Sequence, residues 1–391
     1  NGVTIRTRLY LPAQNQEGGA GNMIDVEIAK FQMSGPEDVS GLAEAVSGGI
    51  ITAPNIMAIF AKTEGNGRVN DFSRPYALHS FEDYLMETLS LGREEVQARC
   101  AMVMSGGCEG VMSPHAVAFA KKNVPEGTPR SNEKRLTLGL GFTRDLFPEE
   151  IGTMTHIDLV AEASRTAMQD AGIESLGDVG YVQVKCPLLT SDRINDAASR
   201  GKKVVSTDTT RSMGLSNGCS ALGAAVGLGE IDRSKIGSGD VCARGDLYSE
   251  MVSCSAGVEL MRCEVVVLGN ISNSVSPYRI GRAVLQHLID AEAVRQALRN
   301  AGLEFDGLPS QADLGRVVHV LAKAGAPWDG LLFNKRTTLL TDSVLGTRPV
   351  RAVANAVIAS VVQDPAVYVS AGLVFHQGPV GGGIVATIVR A

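Results

Sequence analysis

Three apolar, strand-like stretches of this chain each end in a serine that is followed by two small residues. They read MVMSGG around Ser105, VSCSAG around Ser255 and VYVSAG around Ser370. Each serine is preceded, earlier in the chain, by another apolar stretch that ends in a lysine: Lys62, Lys185 and Lys323. A unit that recurs every ~110–140 residues is too long for a solenoid and is typical of homologous domains. The chain is therefore predicted to contain three copies of one domain.

Helical patterns lie between these strand-like stretches. Apolar residues recur at helical spacing in segments 80–100, 159–172 and 291–302, and the last two segments end at a glycine, a common C-terminal cap. Because strands and helices alternate, each copy is predicted to be an α/β domain.

The predicted domain borders follow the polar stretches of the chain. Segments 121–134 and 270–279 are rich in Pro, Ser, Asn or charge, which is typical of linkers. Residues 1–22 lack the continuous apolar segment of a secretory signal and are interpreted as an N-terminal extension, natural or introduced. The predicted domains are 23–125, 134–271 and 278–391.

The composition excludes several classes of protein. The chain is 44% hydrophobic, 20% charged and carries a formal charge of −6, which gives no electrostatic argument for binding nucleic acid. No apolar run reaches the ~18–20 residues that a membrane span needs. The seven cysteines are odd in number and form no CxxC pair. Reduced thiols and a cytoplasmic location are therefore predicted, rather than a disulfide framework or a zinc site.

The repeated serines and lysines indicate a type of chemistry. A serine hydroxyl becomes a useful nucleophile when a base takes its proton, and a buried lysine can be that base if its pKa falls toward neutrality. The small residues after each serine leave backbone N–H groups accessible, as in an oxyanion hole. The pattern favours amide hydrolysis. The simpler alternative is that the serines end strands by coincidence and that the lysines are solvated.

Other signals have ordinary explanations. The GPVGGG stretch at 378–383 lacks the Lys-Ser/Thr ending of a phosphate loop and is interpreted as a turn. His115 and His376 are interpreted as packing residues or as residues that support the site, rather than as metal ligands. Cys186 and Cys254 flank candidate catalytic positions, but the strands around them favour small core residues over nucleophiles.

Several long segments resemble the cyanuric acid hydrolase/barbiturase family. These segments are AKTEGNGRVNDFSR, MSGGCEGVMSPH, LTLGLGFTRDLFPEEIG, YVQVKCPLLT, SALGAAVGLGEI, SCSAGVEL and HQGPVGGG. The resemblance runs from about Met23 to the C-terminus. It implies three α/β domains around a pseudo-threefold axis, with the active site at the centre, and a homotetramer.

The resemblance also implies roles for residues of this chain. It pairs each serine with the lysine of its own domain and makes Ser255 the attacking oxygen with Lys185 as its activating base. The other pairs, Ser105 with Lys62 and Ser370 with Lys323, would hold and polarise the remaining carbonyls. The substrate-binding set is completed by the polar residues Arg74, Asn217 and Arg351 and by the small residues Gly106, Ala256 and Ala371.

Three positions depart from the cyanuric acid hydrolase pattern. Asn217, in LSNGCSALG, stands where those enzymes carry an arginine. Gly325, in AKAGAP, stands where they carry a glutamate associated with a structural metal, so a metal is possible here but none is required for the chemistry. The segment SAGLVFHQ is one residue longer than its counterpart and lacks the acid. Loss of one arginine favours a less symmetric substrate.

The leading hypothesis is therefore a barbiturase that opens barbituric acid, a small cyclic imide, to ureidomalonate. The alternative within the same family is a cyanuric acid amidohydrolase that opens the triazine ring to carboxybiuret. A non-catalytic protein that binds cyclic imides is a third hypothesis, although such a protein would not need a lysine beside every serine.

Overall fold

The computed structural model of this protein describes residues 23–341, 348–372 and 374–391. The predicted extension 1–22 lies outside the described residues, as does Leu373 of the SAGLVFHQ segment. Twelve of the described strands build three sheets, and two more form a small hairpin. In chain order the strands are β1 Met23–Gln32, β2 Ile56–Thr63, β3 Ala101–Gly106, β4 His115–Val124, β5 Arg135–Phe142, β6 Val179–Pro187, β7 Val252–Gly257, β8 Glu264–Ile271, β9 Tyr278–Leu285, β10 Val317–Gly325, β11 Leu331–Leu332, β12 Lys335–Arg336, β13 Tyr368–Gly372 and β14 Gly383–Arg390.

The three four-stranded sheets have one topology. Their strand orders are β1-β4-β2-β3, β5-β8-β6-β7 and β9-β14-β10-β13, so each repeat places its first, fourth, second and third strands side by side. The second and third strands of each repeat are parallel, and the other neighbours are antiparallel. This threefold recurrence confirms the predicted α/β class. The strands fall within 23–124, 135–271 and 278–390, while the exact domain borders stay a prediction.

Helices connect the parallel strands, as a crossover requires. The described helices are α1 Ser40–Ser47, α2 Ser73–Leu89, α3 Arg93–Arg99, α4 Met154–Asp170, α5 Ser191–Ser199, α6 Thr209–Leu228, α7 Ala291–Asn300, α8 Gln311–Leu314 and α9 Arg348–Val362. The helical segment predicted at 80–100 is two helices. Ser90 has a positive φ of 53° and caps α2, and a new helix begins at Arg93. The periodic apolar pattern alone did not reveal that interruption.

A central core joins the three sheets. Its buried side chains come from every repeat and include Phe60, Leu138, Tyr181 and Tyr368. The rings of Phe60 and Tyr368, from different repeats, have centroids 5.6 Å apart. Aromatic pairs of this kind contribute about 0.5–1.5 kcal/mol beyond the area they bury. Further apolar clusters fill the space between each sheet and its own helices, so the sheets converge on one axis.

Glycines let helices lie close against the first strands of the second and third repeats. A β-carbon on Gly141 of β5 would lie 1.9 Å from the carbonyl oxygen of Ala163 in α4. A β-carbon on Gly281 of β9 would lie 2.1 Å from the backbone nitrogen of Ala301, at the end of α7. Real β-carbons do not approach other atoms so closely, so both positions require glycine to keep this packing.

Two further expectations concern the cysteines and membranes. All seven cysteines are free, as expected, although the cytoplasmic location stays a prediction. Within the described ranges, no helix combines the length and apolarity needed to cross a membrane.

Candidate active site

The serine-bearing strand ends of all three repeats meet at one cavity of about 1280 Å³. Parallel pairing sets each lysine directly opposite the serine of its own repeat: Lys62 opposite Ser105, Lys185 opposite Ser255 and Lys323 opposite Ser370. Of the predicted site residues, the cavity is lined by Ser105, Ser255, Ser370, Lys323, Arg74, Asn217, Arg351, Gly106, Ala256 and Ala371. The structure therefore brings together positions that lie up to about three hundred residues apart in the chain.

In the first and third repeats the lysine amine reaches its serine. The Nζ atom of Lys62 lies 3.2 Å from Oγ of Ser105, and that of Lys323 lies 2.9 Å from Oγ of Ser370. Both lysines are buried. Burial disfavours the charged ammonium and lowers the pKa of Lys62 and of Lys323 to about 8. These amines therefore change charge close to neutral pH.

The second repeat is different. The Nζ atom of Lys185 lies 2.5 Å from Oε1 of Glu259, and both side chains are almost fully buried. Among the described residues, Lys185 makes no hydrogen bond to Ser255. Burial lowers the pKa of Lys185, and the charge of Glu259 opposes that shift. Burial pushes the pKa of Glu259 upward, but Lys185 and Arg74 outweigh it and hold that pKa below its usual value. The shift of Glu259 favours its carboxylate form, which can pair with a protonated Lys185.

Two of the lysine amines also donate hydrogen bonds to the backbone of a different repeat. Lys185 donates to the backbone carbonyl of Met104 at 2.6 Å, just before Ser105 of the first repeat. Lys323 donates to the carbonyl of Cys254 at 2.6 Å, just before Ser255 of the second repeat. Each of these amines fixes the serine strand of a neighbouring repeat, so the site depends on the assembly of all three.

The two arginines are positioned by carboxylates from other repeats. Arg351 of α9 makes a bidentate pair with Glu109, with Nε–Oε2 and Nη2–Oε1 distances of 2.6 and 2.5 Å. Arg74 of α2 donates to the carbonyl of Arg68 at 2.7 Å, and its Nε lies 3.8 Å from Oε2 of Glu259. Such pairs fix the planar guanidinium where it can face a bound anion or carbonyl.

The two glutamates were not singled out from the sequence. A signal was present, because Glu109 and Glu259 each follow their serine by four residues. The position alone does not reveal the partner, since the arginines that they hold belong to other repeats.

Asn217 occupies the position in the second repeat where an arginine was expected. It lies on α6, lines the cavity, and accepts a hydrogen bond from the thiol of Cys186 at 3.6 Å. An amide is neutral and shorter than a guanidinium, so this position itself supplies no charge, although Arg211 of the same helix also lines the cavity.

The small residues after the serines allow close packing at the cavity wall. A β-carbon on Gly106 would lie 1.7 Å from Oδ2 of Asp71, and one on Gly107 would lie 2.7 Å from the guanidinium carbon of Arg351. Gly107 also has a φ of 97°, which favours glycine. Larger residues here would push these charged groups away from the site.

The residues do not fit the structural metal that the family resemblance suggests. Gly325 supplies no carboxylate, and its N–H donates to the carbonyl of Gly382 at 2.6 Å. The described ranges contain no group of three or more His, Cys, Asp or Glu side chains that could hold a metal ion. That the chemistry requires no metal stays a prediction, and no proposed catalytic step depends on one.

The secondary candidates have mainly structural surroundings. His115 is buried, its ring packs against His319 with centroids 5.3 Å apart, and burial lowers its pKa to about 4. His376 accepts a hydrogen bond from the N–H of Cys242 at 2.8 Å. Cys186 and Cys254 are buried, and burial raises the pKa of each thiol, so a reactive thiolate is disfavoured.

A cavity lined by serines and a buried lysine suits amide hydrolysis, and comparison with known proteins shows the class to be ring-opening amide hydrolases. The chain belongs to the family described as amidohydrolase ring-opening protein, whose model matches residues 27–390. It is 47% identical to a cyanuric acid amidohydrolase of Enterobacter cloacae, over 94% of this chain and 100% of the relative. It is 42% identical to barbiturase 1 of a Nocardioides species, over 93% of this chain and 98% of the relative.

Solved structures give the same result. A cyanuric acid hydrolase structure aligns with a TM-score of 0.90 at 43% identity, over 94% of this chain and 100% of the other. Another, from A. caulinodans, aligns with a TM-score of 0.85 at 40% identity, over 94% and 99%. The protein is therefore a cyclic amide hydrolase of the cyanuric acid hydrolase/barbiturase family.

Proposed function

We propose that this chain hydrolyses barbituric acid to ureidomalonate. The observation that carries the proposal is an asymmetry of hydrogen-bonding groups in the cavity. The first and third repeats supply the guanidinium groups of Arg74 and Arg351, and the equivalent position of the second repeat supplies the neutral amide of Asn217. Cyanurate presents three equivalent imide edges, whereas barbiturate has two N–H edges and one methylene edge. Two sides with a guanidinium, which can donate to the carbonyls beside each ring N–H, and one side with a neutral amide match the unequal edges of this ring.

Cyanurate is the second candidate. The observation in its favour is overall similarity, because the chain is 47% identical to the cyanuric acid amidohydrolase and 42% identical to the barbiturase. Identity over the whole chain reflects the fold and the shared chemistry. Preference between two similar rings depends on a few contacts in the cavity. The groups that make those contacts therefore decide between the two candidates more than overall sequence identity does.

The reaction proceeds by nucleophilic attack of a serine on a ring carbonyl. A bond forms between Oγ and the carbonyl carbon, the C–N bond breaks, and the leaving ring nitrogen takes a proton. Water then attacks the acyl-enzyme ester, restores the serine hydroxyl and releases the open-chain acid. Backbone N–H groups after the serine, at Ala256 in the second repeat, would polarise the carbonyl as negative charge develops on its oxygen.

The attacking residue stays the one predicted from the family resemblance, Ser255, with Lys185 as base. The ion pair with Glu259 adds a step, because Lys185 must give up a proton before it can accept one. Glu259 lies where it can take that proton, which leaves both groups neutral. Lys185 would then accept the proton of Ser255 as its oxygen attacks and pass it to the leaving ring nitrogen. Lys62 and Lys323 would hold the remaining carbonyls in their protonated form.

Product analysis tests the proposed function. Purified full-length protein is incubated separately with barbituric acid and with cyanuric acid, and the products and steady-state constants are measured. We expect ureidomalonate as product and a kcat/KM for barbiturate at least ~10²-fold above that for cyanurate, about 2.7 kcal/mol at the transition state. Equal or faster turnover of cyanurate would contradict the barbiturate proposal and support the second candidate.

Sedimentation of the same sample tests the predicted homotetramer.

A further inference from the structure

The position four residues after each serine contributes to contacts between repeats. The residue four positions after each serine is Glu109, Glu259 or Val374. Glu109 of the first repeat hydrogen-bonds to Arg351 of the third. Glu259 of the second lies 3.8 Å from Nε of Arg74 of the first, at ion-pair distance without a hydrogen bond to that nitrogen. Each ion pair therefore joins two repeats around the cavity.

At the equivalent positions of the second and third repeats, neither an arginine nor a glutamate is present. The cavity-lining helix residue of the second repeat is Asn217, and the third repeat supplies Val374 in place of a glutamate. An arginine without its carboxylate, or the reverse, would leave an uncompensated charge in a partly buried wall, which is costly. Replacement of both leaves no such charge. We call the residues Asn217, Val374, Phe375, Met213 and Gly214 the third corner.

These residues adjoin each other. Gly214 lies one turn before Asn217 on α6, and a β-carbon there would lie 3.7 Å from the ring of Phe375. Trp328 supports the other side, since its indole N–H donates to the carbonyl of Val374 at 3.3 Å and its ring lies 5.3 Å from that of Phe375. The third corner is thus a supported wall that is apolar except for one neutral amide.

The cavity as a whole is larger than an unsubstituted ring. A ring of nine non-hydrogen atoms, such as barbiturate, has roughly the volume of four waters, or about 120 Å³ at about 30 Å³ each. The cavity measures about 1280 Å³, and Val241 and Cys242 continue the wall beside the third corner. A small apolar group on the ring could be buried there with a favourable transfer free energy.

We propose that the third corner receives the carbon edge of the ring and admits a small alkyl group on that carbon. The substrate class then includes 5-alkyl barbiturates as well as barbiturate itself. This inference rests on the proposed function, because it places the ring carbon that lies between two carbonyls against Asn217 and Val374. The two imide edges face Arg74 and Arg351, whose guanidinium groups would donate to the carbonyls that flank each ring N–H. A substituent on nitrogen would displace a guanidinium.

The position of one methyl group tests the inference. Purified full-length enzyme is assayed with barbiturate, 5-methylbarbiturate and 1-methylbarbiturate, which place the same group on carbon or on nitrogen. We expect kcat/KM for 5-methylbarbiturate to stay within about tenfold of barbiturate, and that for 1-methylbarbiturate to fall at least ~10²-fold. Equal loss with both methyl positions would overturn the role of the third corner.

A double variant tests the residues. Asn217→Arg with Val374→Glu would rebuild the missing ion pair, and we expect the kcat/KM ratio of 5-methylbarbiturate to barbiturate to fall at least about tenfold. The matched control is Val374→Leu, which keeps the corner apolar and should keep that ratio near the wild-type value. Thermal unfolding of each variant checks that it is folded. An unchanged ratio in a folded double variant would overturn the assignment.

If the proposed function fails, inhibition measurements still test the third corner separately. If the enzyme turns over cyanurate but not barbiturate, the methylated rings are measured as competitive inhibitors of cyanurate turnover. Tighter inhibition by 5-methylbarbiturate than by 1-methylbarbiturate would still support the third corner. Similar inhibition constants for both rings would overturn it.

Discussion

The first and second repeats contain the same elements and place their lysines in different electrostatic states. In the first repeat Lys62 hydrogen-bonds to Ser105, and the glutamate four residues later is 22% exposed and holds an arginine. In the second repeat the equivalent glutamate, Glu259, is 2% exposed and contacts Lys185 itself. One glutamate position thus contacts an arginine in one repeat and a lysine in the other.

This difference shows how a repeated sequence can support an unsymmetrical reaction. Only one carbonyl of the ring is attacked in a turnover, whereas the others are held, so the three Ser–Lys pairs need not have equal charge. The paired carboxylate gives Lys185 a proton acceptor. Lys62 changes charge at a pKa of about 8 and is suited to hold a carbonyl as a cation below that pH.

Removal of the attacking hydroxyl gives the largest expected effect. We expect Ser255→Ala to lower kcat by at least ~10³-fold, because it removes a covalent catalyst rather than a binding contact. Ser105→Ala is the matched variant in the first repeat and should act partly through KM. Steady-state kinetics on barbiturate measure both. A larger loss of kcat in Ser105→Ala would move the attack to the first repeat.

Replacement of the lysines by arginine tests the proton role. Lys185→Arg keeps a positive charge beside Glu259, but guanidinium does not accept a proton at these pH values. We expect a loss in kcat of at least ~10²-fold, nearly as large as in Lys185→Ala. Circular dichroism checks that each variant is folded. A folded and active Lys185→Arg enzyme would mean that the residue serves only as a cation.

The glutamates provide a matched pair of variants. Glu259→Gln removes the charge that raises the pKa of Lys185, so a neutral amine forms at lower pH. We expect the acidic limb of the kcat/KM profile to move to lower pH, with kcat itself reduced about tenfold by loss of the proton acceptor. Glu109→Gln should raise KM and leave that limb in place.

A shift of the alkaline limb of the kcat/KM profile, instead of the acidic limb, would identify a different role for Lys185. If the alkaline limb moved to lower pH in Glu259→Gln, the reaction would require Lys185 in its charged form. The second repeat would then resemble the first, with a lysine that holds a carbonyl.

The smallest expected effect is the pH dependence of binding in the wild-type enzyme. Lys62 and Lys323 have pKa values lowered to about 8, so they carry a proton below that pH and lose it above. If one such proton is needed to hold a carbonyl, KM should rise about fourfold between pH 7 and 8.5. Lys62→Met should raise KM at pH 7 and flatten this rise. A KM that falls over this range would show that the neutral amines bind the ring.

Much of the fold could be predicted because its signals are local. An apolar run that ends in Lys62 or in Ser105 can be seen within a few residues, and its recurrence predicts three α/β units. Parallel pairing then places lysine and serine side by side. The break between α2 and α3 at Ser90 was missed, because a left-handed residue inside a periodic segment leaves the apolar spacing nearly unchanged.

By itself, the sequence determined the repeats, the three Ser–Lys pairs and the neutral residue at position 217. The tertiary structure decided which charges meet, since Glu109 and Arg351 are 242 positions apart and come together only when the first and third repeats close around the axis. It also decided that Lys185 has a carboxylate partner and that Asn217 and Val374 line the same cavity. Local patterns cannot predict such contacts, because the energy of a charge in a protein depends on its burial and on neighbours that any part of the chain can supply.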